Sequence, residues 1–195
     1  RGNDNKKQLT HGSSIFLNET IQQQFPAYVV FPQCPENDYW ASVQVDRSQM
    51  PLALNFDYNR PLTKSLQLVV SLIENLKQQK PIDPKRIYVV GLSMGGMGTL
   101  EIIHHYPQLF AAAMPICGGG DTLKFSKRAS KLPLWLFHGD VDGVVKVEYS
   151  RTMLDRIKQY NKKVRYTEYK GVNHNSWDYA FREPDFLSWL FDKRK

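Results

Sequence analysis

RIYVVGLSMGGMGT, residues 86–99, changes character halfway along its length. Ile87 to Val90 is an unbroken apolar run, the pattern of a strand buried on both faces. From Met94 to Tyr106 the pattern becomes helical, and Pro107 stops it. Between them stands Gly91-Leu92-Ser93-Met94-Gly95, a G-x-S-x-G set at a strand-to-helix turn. That context is the one a nucleophile elbow requires. A turn this tight forces Ser93 into a strained backbone conformation and lifts its hydroxyl above the sheet. Side chains at Gly91 and Gly95 are expected to collide with the neighbouring strand and helix, and Gly96 and Gly98 to extend close helix-on-sheet packing. The N–H of Met94, at the helix start, is placed to meet a developing oxyanion. A phosphate loop is disfavoured, because no G-K-[ST] is present.

Outward from the elbow, strands and helices alternate. Tyr28 to Phe31 reads as a buried strand ended by Pro32. Leu62 to Lys80 has helical spacing and is broken by Pro81 and Pro84. Phe110 to Ile116 and Leu134 to Phe137 read as strands, Glu148 to Tyr160 as a helix, Val164 to Tyr169 as a strand and Phe186 to Phe191 as a terminal helix. Such alternation predicts an α/β fold with a mostly parallel sheet flanked by helices in a single domain over 1–195. Working residues are then expected in loops beyond the carboxyl ends of the strands.

A serine nucleophile needs a base, and the base needs an orienting acid. The loop after Leu134–Phe137 is His138-Gly139-Asp140-Val141-Asp142-Gly143. Two aspartates compete there. Asp142, deeper in the loop and followed by a turn glycine, is favoured as the acid, and Asp140 is expected to brace the loop through backbone N–H groups. His174, after the last strand, is the only histidine beyond the acid and is taken as the base. His138 is expected to be a structural hydrogen-bonder. His104 and His105 end the helix after Ser93, where a cationic ring suits the helix dipole. His11 is given no role.

Composition sets the outer bounds. The chain has 195 residues, 42% hydrophobic and 23% charged, which suits a globular domain with a real core. The formal net charge is +7. Its Lys and Arg clusters are not interleaved with aromatics, so nucleic acid is not expected as a partner. No apolar run approaches the roughly 20 residues that span a bilayer. No signal peptide is visible behind Arg1, so the compartment stays open, with secretion or a periplasmic location both compatible. Two cysteines, Cys34 and Cys117, make neither a disulfide framework nor a metal spacing, and no metal or cofactor is expected.

The segments FPQCPENDYW (31–40), IDPKRIYVVGLSMGGMGT (82–99), AAAMPICGGGD (111–121), HGDVDGVV (138–145) and GVNHNSWDYAF (171–181) together resemble one branch of the α/β-hydrolase superfamily. That branch holds carboxylesterases and predicted peptidases, including feruloyl and acetylxylan esterases of plant-polysaccharide-degrading bacteria. The resemblance implies an α/β-hydrolase fold and hydrolysis of carboxylic esters, with acetyl or feruloyl esters of plant polysaccharides as substrates. It places the catalytic acid on Asp142, four residues after His138, and the catalytic histidine on His174 with Trp177 nearby. It also puts Gln33, Trp40, Cys117 and Gly118 near the substrate pocket. Members of that branch carry an earlier strand ending in a motif like H-G-x-G-E-R-G, whose loop supplies a second oxyanion donor. Here Arg1-Gly2 matches only the end of that motif. The resemblance therefore implies a sheet lacking its first strands, with the missing one between Tyr28–Phe31 and Ile87–Val90, unless another segment or self-association fills the gap. A serine peptidase of the prolyl-oligopeptidase kind and an inactive fragment lacking its oxyanion loop are the competing readings.

Overall fold

The computed structural model describes residues 1–195. Two short 3-10 turns, Lys7–Leu9 and Ser13–Leu17, lead into α1 (Glu19–Gln24). A hairpin follows, β1 (Val43–Asp46) and β2 (Ala53–Phe56), and then α2 (Lys64–Gln79). The remaining chain alternates: β3 (Tyr88–Leu92), α3 (Met94–His105), β4 (Ala112–Ile116), α4 (Lys127–Ser130), β5 (Trp135–Gly139), α5 (Glu148–Lys158), β6 (Arg165–Tyr169), α6 (Trp177–Ala180) and α7 (Phe186–Phe191). The four later strands form one parallel sheet in the order β3-β4-β5-β6. No helix is long and apolar enough to cross a membrane.

Strand periodicity sorts the core into two layers. Ala113, Leu134 and Leu136 point to one face, where they join Leu100 and Ile103 of α3 and Met153 and Ile157 of α5. Ala112, Met114, Ile116, Trp135 and Phe137 point to the other, against Phe186, Leu187 and Leu190 of α7. A third, smaller cluster joins Leu52 and Leu54 of the hairpin region to Met97 of α3 and Val145. Ser42, just before β1, is fastened to α3 through the buried carboxylate of Glu101, which accepts from its N–H at 2.6 Å and its hydroxyl at 2.7 Å. Burial pushes the Glu101 carboxyl up from the usual range.

One ladder is interrupted for a covalent reason. Ala113 N–H donates to Pro133 O at 3.1 Å and Cys117 N–H to Phe137 O at 2.8 Å. Pro115 lies between them and has no N–H to give. The β4–β5 pairing is accordingly reduced to Ile116 opposite Phe137 and a bridge between Ala113 and Leu134.

Three expectations are corrected here. Tyr28 to Phe31 forms no strand: Tyr28, Val29 and Val30 are 56%, 42% and 48% exposed, and no strand pairs with them. Strand-forming residues without a ladder partner do not make a strand, however apolar they are. The hairpin of β1 and β2 went unforeseen, since two four-residue strands carry little period-2 signal. His104 does not act as a cation on the helix dipole. Burial, helped by the neighbouring His105, brings it down from 6.5 to about 4, and its Nδ1 accepts from Ser126 N–H at 3.1 Å. Burial lowers His105 as well.

Two tests follow from these contacts. An unfolded His104 takes up a proton near its ordinary value, whereas the folded one resists it until about pH 4. The contribution of His104 to stability is therefore present above about pH 6.5 and is lost as pH falls through that value toward about 4. Denaturant midpoints across that interval measure the loss, and His104→Asn, which keeps an acceptor and cannot titrate, is expected to flatten it. At Gly91 an added Cβ would stand 2.1 Å from Gly95 O and 2.6 Å from Thr99 Oγ1. Gly91→Ala is expected to lower stability by about 2 kcal/mol or more, read by chemical denaturation.

Candidate active site

The turn between β3 and α3 holds Ser93 at φ 53°, ψ −117°, a region L-residues rarely occupy. Three contacts enforce it. Ser93 N–H donates to Ile116 O at 2.8 Å, Met97 N–H donates to Ser93 O at 3.0 Å, and the space beside Gly91 is closed by the backbone of Gly95. The steric argument holds for Gly91 but not for Gly95, where a Cβ would meet nothing within 4 Å. Gly96 does pack tightly on the sheet, with Ile116 O 2.6 Å from a notional Cβ. Gly98 instead makes room for Trp40, whose Cβ and O lie 2.8 and 2.9 Å from such an atom. Met94 opens the helix, so its N–H has no intrahelical acceptor and stands beside the Ser93 side chain.

Two loops bring partners to that hydroxyl. His174 Nε2 lies 2.9 Å from Ser93 Oγ, and His174 Nδ1 lies 2.8 Å from Asp142 Oδ2. The competition between aspartates is resolved by distance. Asp140 Oδ1 accepts from Gly171 N–H at 2.6 Å, bracing the loop after β6, and takes no part in the relay. Asp142 Oδ1 accepts from the N–H groups of Val144 at 2.8 Å and Val145 at 2.9 Å. The two loops approach so closely that a Cβ on Gly139 would meet Val172 O at 2.1 Å.

Burial works to raise the Asp142 carboxyl, but hydrogen bonds from His138, His174, Val144 N–H and Val145 N–H outweigh it and hold it well below the usual carboxylate range. His138 thus does more than was expected of it. Its Nε2 is 2.9 Å from Val145 O and 3.2 Å from Asp142 Oδ2, and its Nδ1 is 2.7 Å from Ser150 Oγ. A carbonyl oxygen only accepts, so Nε2 carries the proton and also faces the carboxylate.

A cavity of ≈ 1090 Å³ opens at Ser93. Gln33, Trp40, Met94 and His11 border it. Gln33 is largely engaged, accepting from Asn5 N–H at 2.7 Å and donating to Asp4 Oδ1 at 2.7 Å. Trp177 stands edge-on to His174 at 5.3 Å between ring centroids. Cys117 and Gly118 are fully buried. Gly118 lies against Gly96 and Met97 of α3, and Cys117 has φ 41° where the chain leaves β4. His11 was not foreseen at all. Its ring lies 5.0 Å from Trp177, on the side that the N-terminal turns fold over, and nothing local in its polar segment signals that placement.

Donor atoms of Cys117, Asp142 and His174 lie within 4.8 Å of one another. They do not fit a resident cation. Burial pushes the Cys117 thiol up to about 12, so it is protonated, and the facing atoms of Asp142 and His174 are already bonded to each other.

The chain is similar to several known proteins. A bifunctional acetylxylan esterase/xylanase from Neocallimastix patriciarum is 36% identical over 83 residues, 43% of this chain and 12% of that protein. Carboxylesterase SOBER1 from Arabidopsis thaliana is 26% identical over 181 residues, 84% of this chain and 79% of that one. The crystal structure of a thermostable esterase superposes on all of this chain with a TM-score of 0.87 and 38% identity. The chain spans 52% of that esterase's length. The fold is an α/β-hydrolase fold. Residues 52–186 match the model of the phospholipase/carboxylesterase family, and with Ser93, Asp142 and His174 inside that stretch the chain belongs to that family.

Proposed function

We propose that the chain hydrolyses carboxylic esters through a covalent acyl-enzyme. The observation that carries the reading is the relay Asp142 Oδ2–His174 Nδ1 at 2.8 Å and His174 Nε2–Ser93 Oγ at 2.9 Å, ending at a cavity. Ser93 Oγ attacks the ester carbonyl while His174 Nε2 takes its proton. The C=O π pair moves onto oxygen, and the Met94 N–H, free at the head of α3, donates to that oxyanion. Collapse expels the alcohol, which receives the proton from His174. Water, deprotonated by the same imidazole, then cleaves the acyl-enzyme and restores Ser93. Asp142 fixes the tautomer with the proton on Nδ1 and steadies the imidazolium when it forms. No step calls for a metal or cofactor.

Acetyl or feruloyl esters of plant polysaccharides are the substrates we favour. The support is the 36% identity to the acetylxylan esterase/xylanase over 83 residues. Gln33, Trp40 and Trp177 are the residues placed to meet such a substrate, since the first two border the cavity and the third packs on His174.

Ser93→Ala is expected to reduce turnover of p-nitrophenyl acetate by at least about 10³-fold, with folding unchanged by circular dichroism. Undiminished turnover would remove Ser93 from the mechanism. The pH profile offers a second check. Asp142 stays ionised far into the acid range because its four hydrogen bonds hold the carboxyl down. The acid limb of log kcat/KM is therefore expected to show no inflection from Asp142 in the ordinary carboxylate range. Such an inflection would contradict the depressed Asp142.

A further inference from the structure

His174 Nε2 faces Ser93 Oγ, so the oxygen that leaves with the alcohol must come within reach of that nitrogen. The side of the cavity next to His174 therefore meets the alcohol half of an ester, and the Met94 N–H meets the oxyanion. Trp177 packs on His174 but is not part of the cavity wall, and its Nε1 is sealed from solvent with no hydrogen-bond partner. The ring that borders the cavity at this end is His11. Its imidazole rests on the Trp177 indole with 5.0 Å between centroids and 45° between planes.

The segment that carries His11 is held in place. Gly12 turns at φ 78°, and a Cβ on it would meet Phe181 Cζ at 2.6 Å. His11 and Gly12 thus sit on Trp177 and Phe181, four residues apart across α6. Thr10 Oγ1 donates to Lys7 O at 2.8 Å and Ser13 Oγ to Leu9 O at 2.6 Å, closing the turns on either side. Ile15 and Phe16 then join the apolar layer that α7 covers. The imidazole itself is exposed, with a stacking partner but no hydrogen-bond partner. Its polar neighbours on the rim are engaged: Gln33 with Asn5 and Asp4, and Gln8 Nε2 with Asn5 Oδ1 at 2.6 Å.

We infer that His11 is a specificity-determining residue that hydrogen-bonds the alcohol half of the ester, and that this alcohol carries hydroxyl groups beside the ester oxygen, as a sugar does. The inference rests on the hydrolytic reading and narrows its substrate. An imidazole both donates and accepts, which matches a hydroxyl. An apolar alcohol would cover the two nitrogens and give them no partner. An anionic alcohol would find no net positive charge among the rim's side chains. Lys7 Nζ lies 3.9 Å from Asp4 Oδ2 and 3.8 Å from Glu36 Oε1, and Arg1 donates to Glu36 O at 3.0 Å. A few polar groups set in an apolar wall are what fix orientation in a small-molecule site.

The test compares two acetates whose alcohols are six-membered rings: an acetylated methyl xyloside with free neighbouring hydroxyls, and cyclohexyl acetate. His11→Phe keeps a ring on Trp177 and removes both nitrogens. It is expected to lower kcat/KM on the xyloside about three- to tenfold, the range of one neutral hydrogen bond, and to change it less than about twofold on cyclohexyl acetate. His11→Gln is expected to recover most of the loss. Equal losses on both substrates overturn the inference, because His11 would then only brace the His174 loop. An unchanged rate on the xyloside overturns it as well. Binding supplies a readout that does not depend on turnover. In Ser93→Ala the xyloside is expected to shift the His11 Cε1–H resonance more than cyclohexyl acetate does. A resonance unmoved at saturation, or moved equally by both, overturns the contact. A parent chain that cleaves neither acetate while that resonance shifts would sink the hydrolytic reading and leave the His11 contact standing.

Discussion

The structure turns on a single strained residue. Ser93 sits at φ 53°, a conformation that costs on the order of 1–3 kcal/mol for a residue with a side chain. It persists because its neighbours over-determine it. Ile116 O holds its N–H, its own C=O starts the first turn of α3, and Gly91 lets the strand lie against the helix backbone. The same carbonyl of Ile116 lies 2.6 Å from where a Cβ on Gly96 would fall, so one atom at the end of β4 fixes both Ser93 and the helix behind it. β4 itself is wholly buried, and the hydrogen bond lost at Pro115 is flanked by two that remain, at Ala113 and Cys117.

The second constraint is electrostatic. A carboxylate as enclosed as Asp142 would ordinarily favour its neutral form. Here two backbone N–H groups from its own loop, and two imidazoles from either side, surround it with donors. The charge is therefore kept beside His174 Nδ1. His138 spans from Asp142 to Ser150 of α5, and Ser150 Oγ lies 3.3 Å from Gly118 O. Asp142 is thereby tied into the packed interior. The close approach of Gly139 to Val172 joins the loop of Asp142 to the loop of His174 and sets their spacing independently of any side chain.

Much of this was legible in the chain, for a physical reason. Ser93, Asp142 and His174 each stand in the turn or loop after a strand, so a local pattern of apolar run, turn and polar residue marks all three positions. The choice of Asp142 over Asp140 also rested on local loop position. What escaped was whatever depends on distant chain. His11 reaches Trp177 only because two 3-10 turns fold over the site, and His138 reaches the acid by curling back within a buried loop. Gly95 has the motif's spacing but open space around it, so its place in the pattern said nothing of its packing. Tyr28 to Phe31 has a strand's composition without a strand's ladder, and no property of four residues can reveal whether a partner stands beside them.

That last point bears on the site as well as on the sheet. Ser93 rises from β3, an edge strand of the parallel sheet that pairs with β4 on one side and with no strand on the other. Its strained turn is gripped by β4 and by α3, and on the remaining side lies the cavity rather than backbone. Rigidity in a catalytic turn comes from neighbours that cannot move independently of it. Whatever lines the free edge of β3 thus bears on how steadily Ser93 Oγ is held against His174 Nε2, although it need touch neither atom. Sheet completion and nucleophile positioning are linked through five residues of one strand, and a change at the edge is transmitted to the hydroxyl along the backbone that carries it.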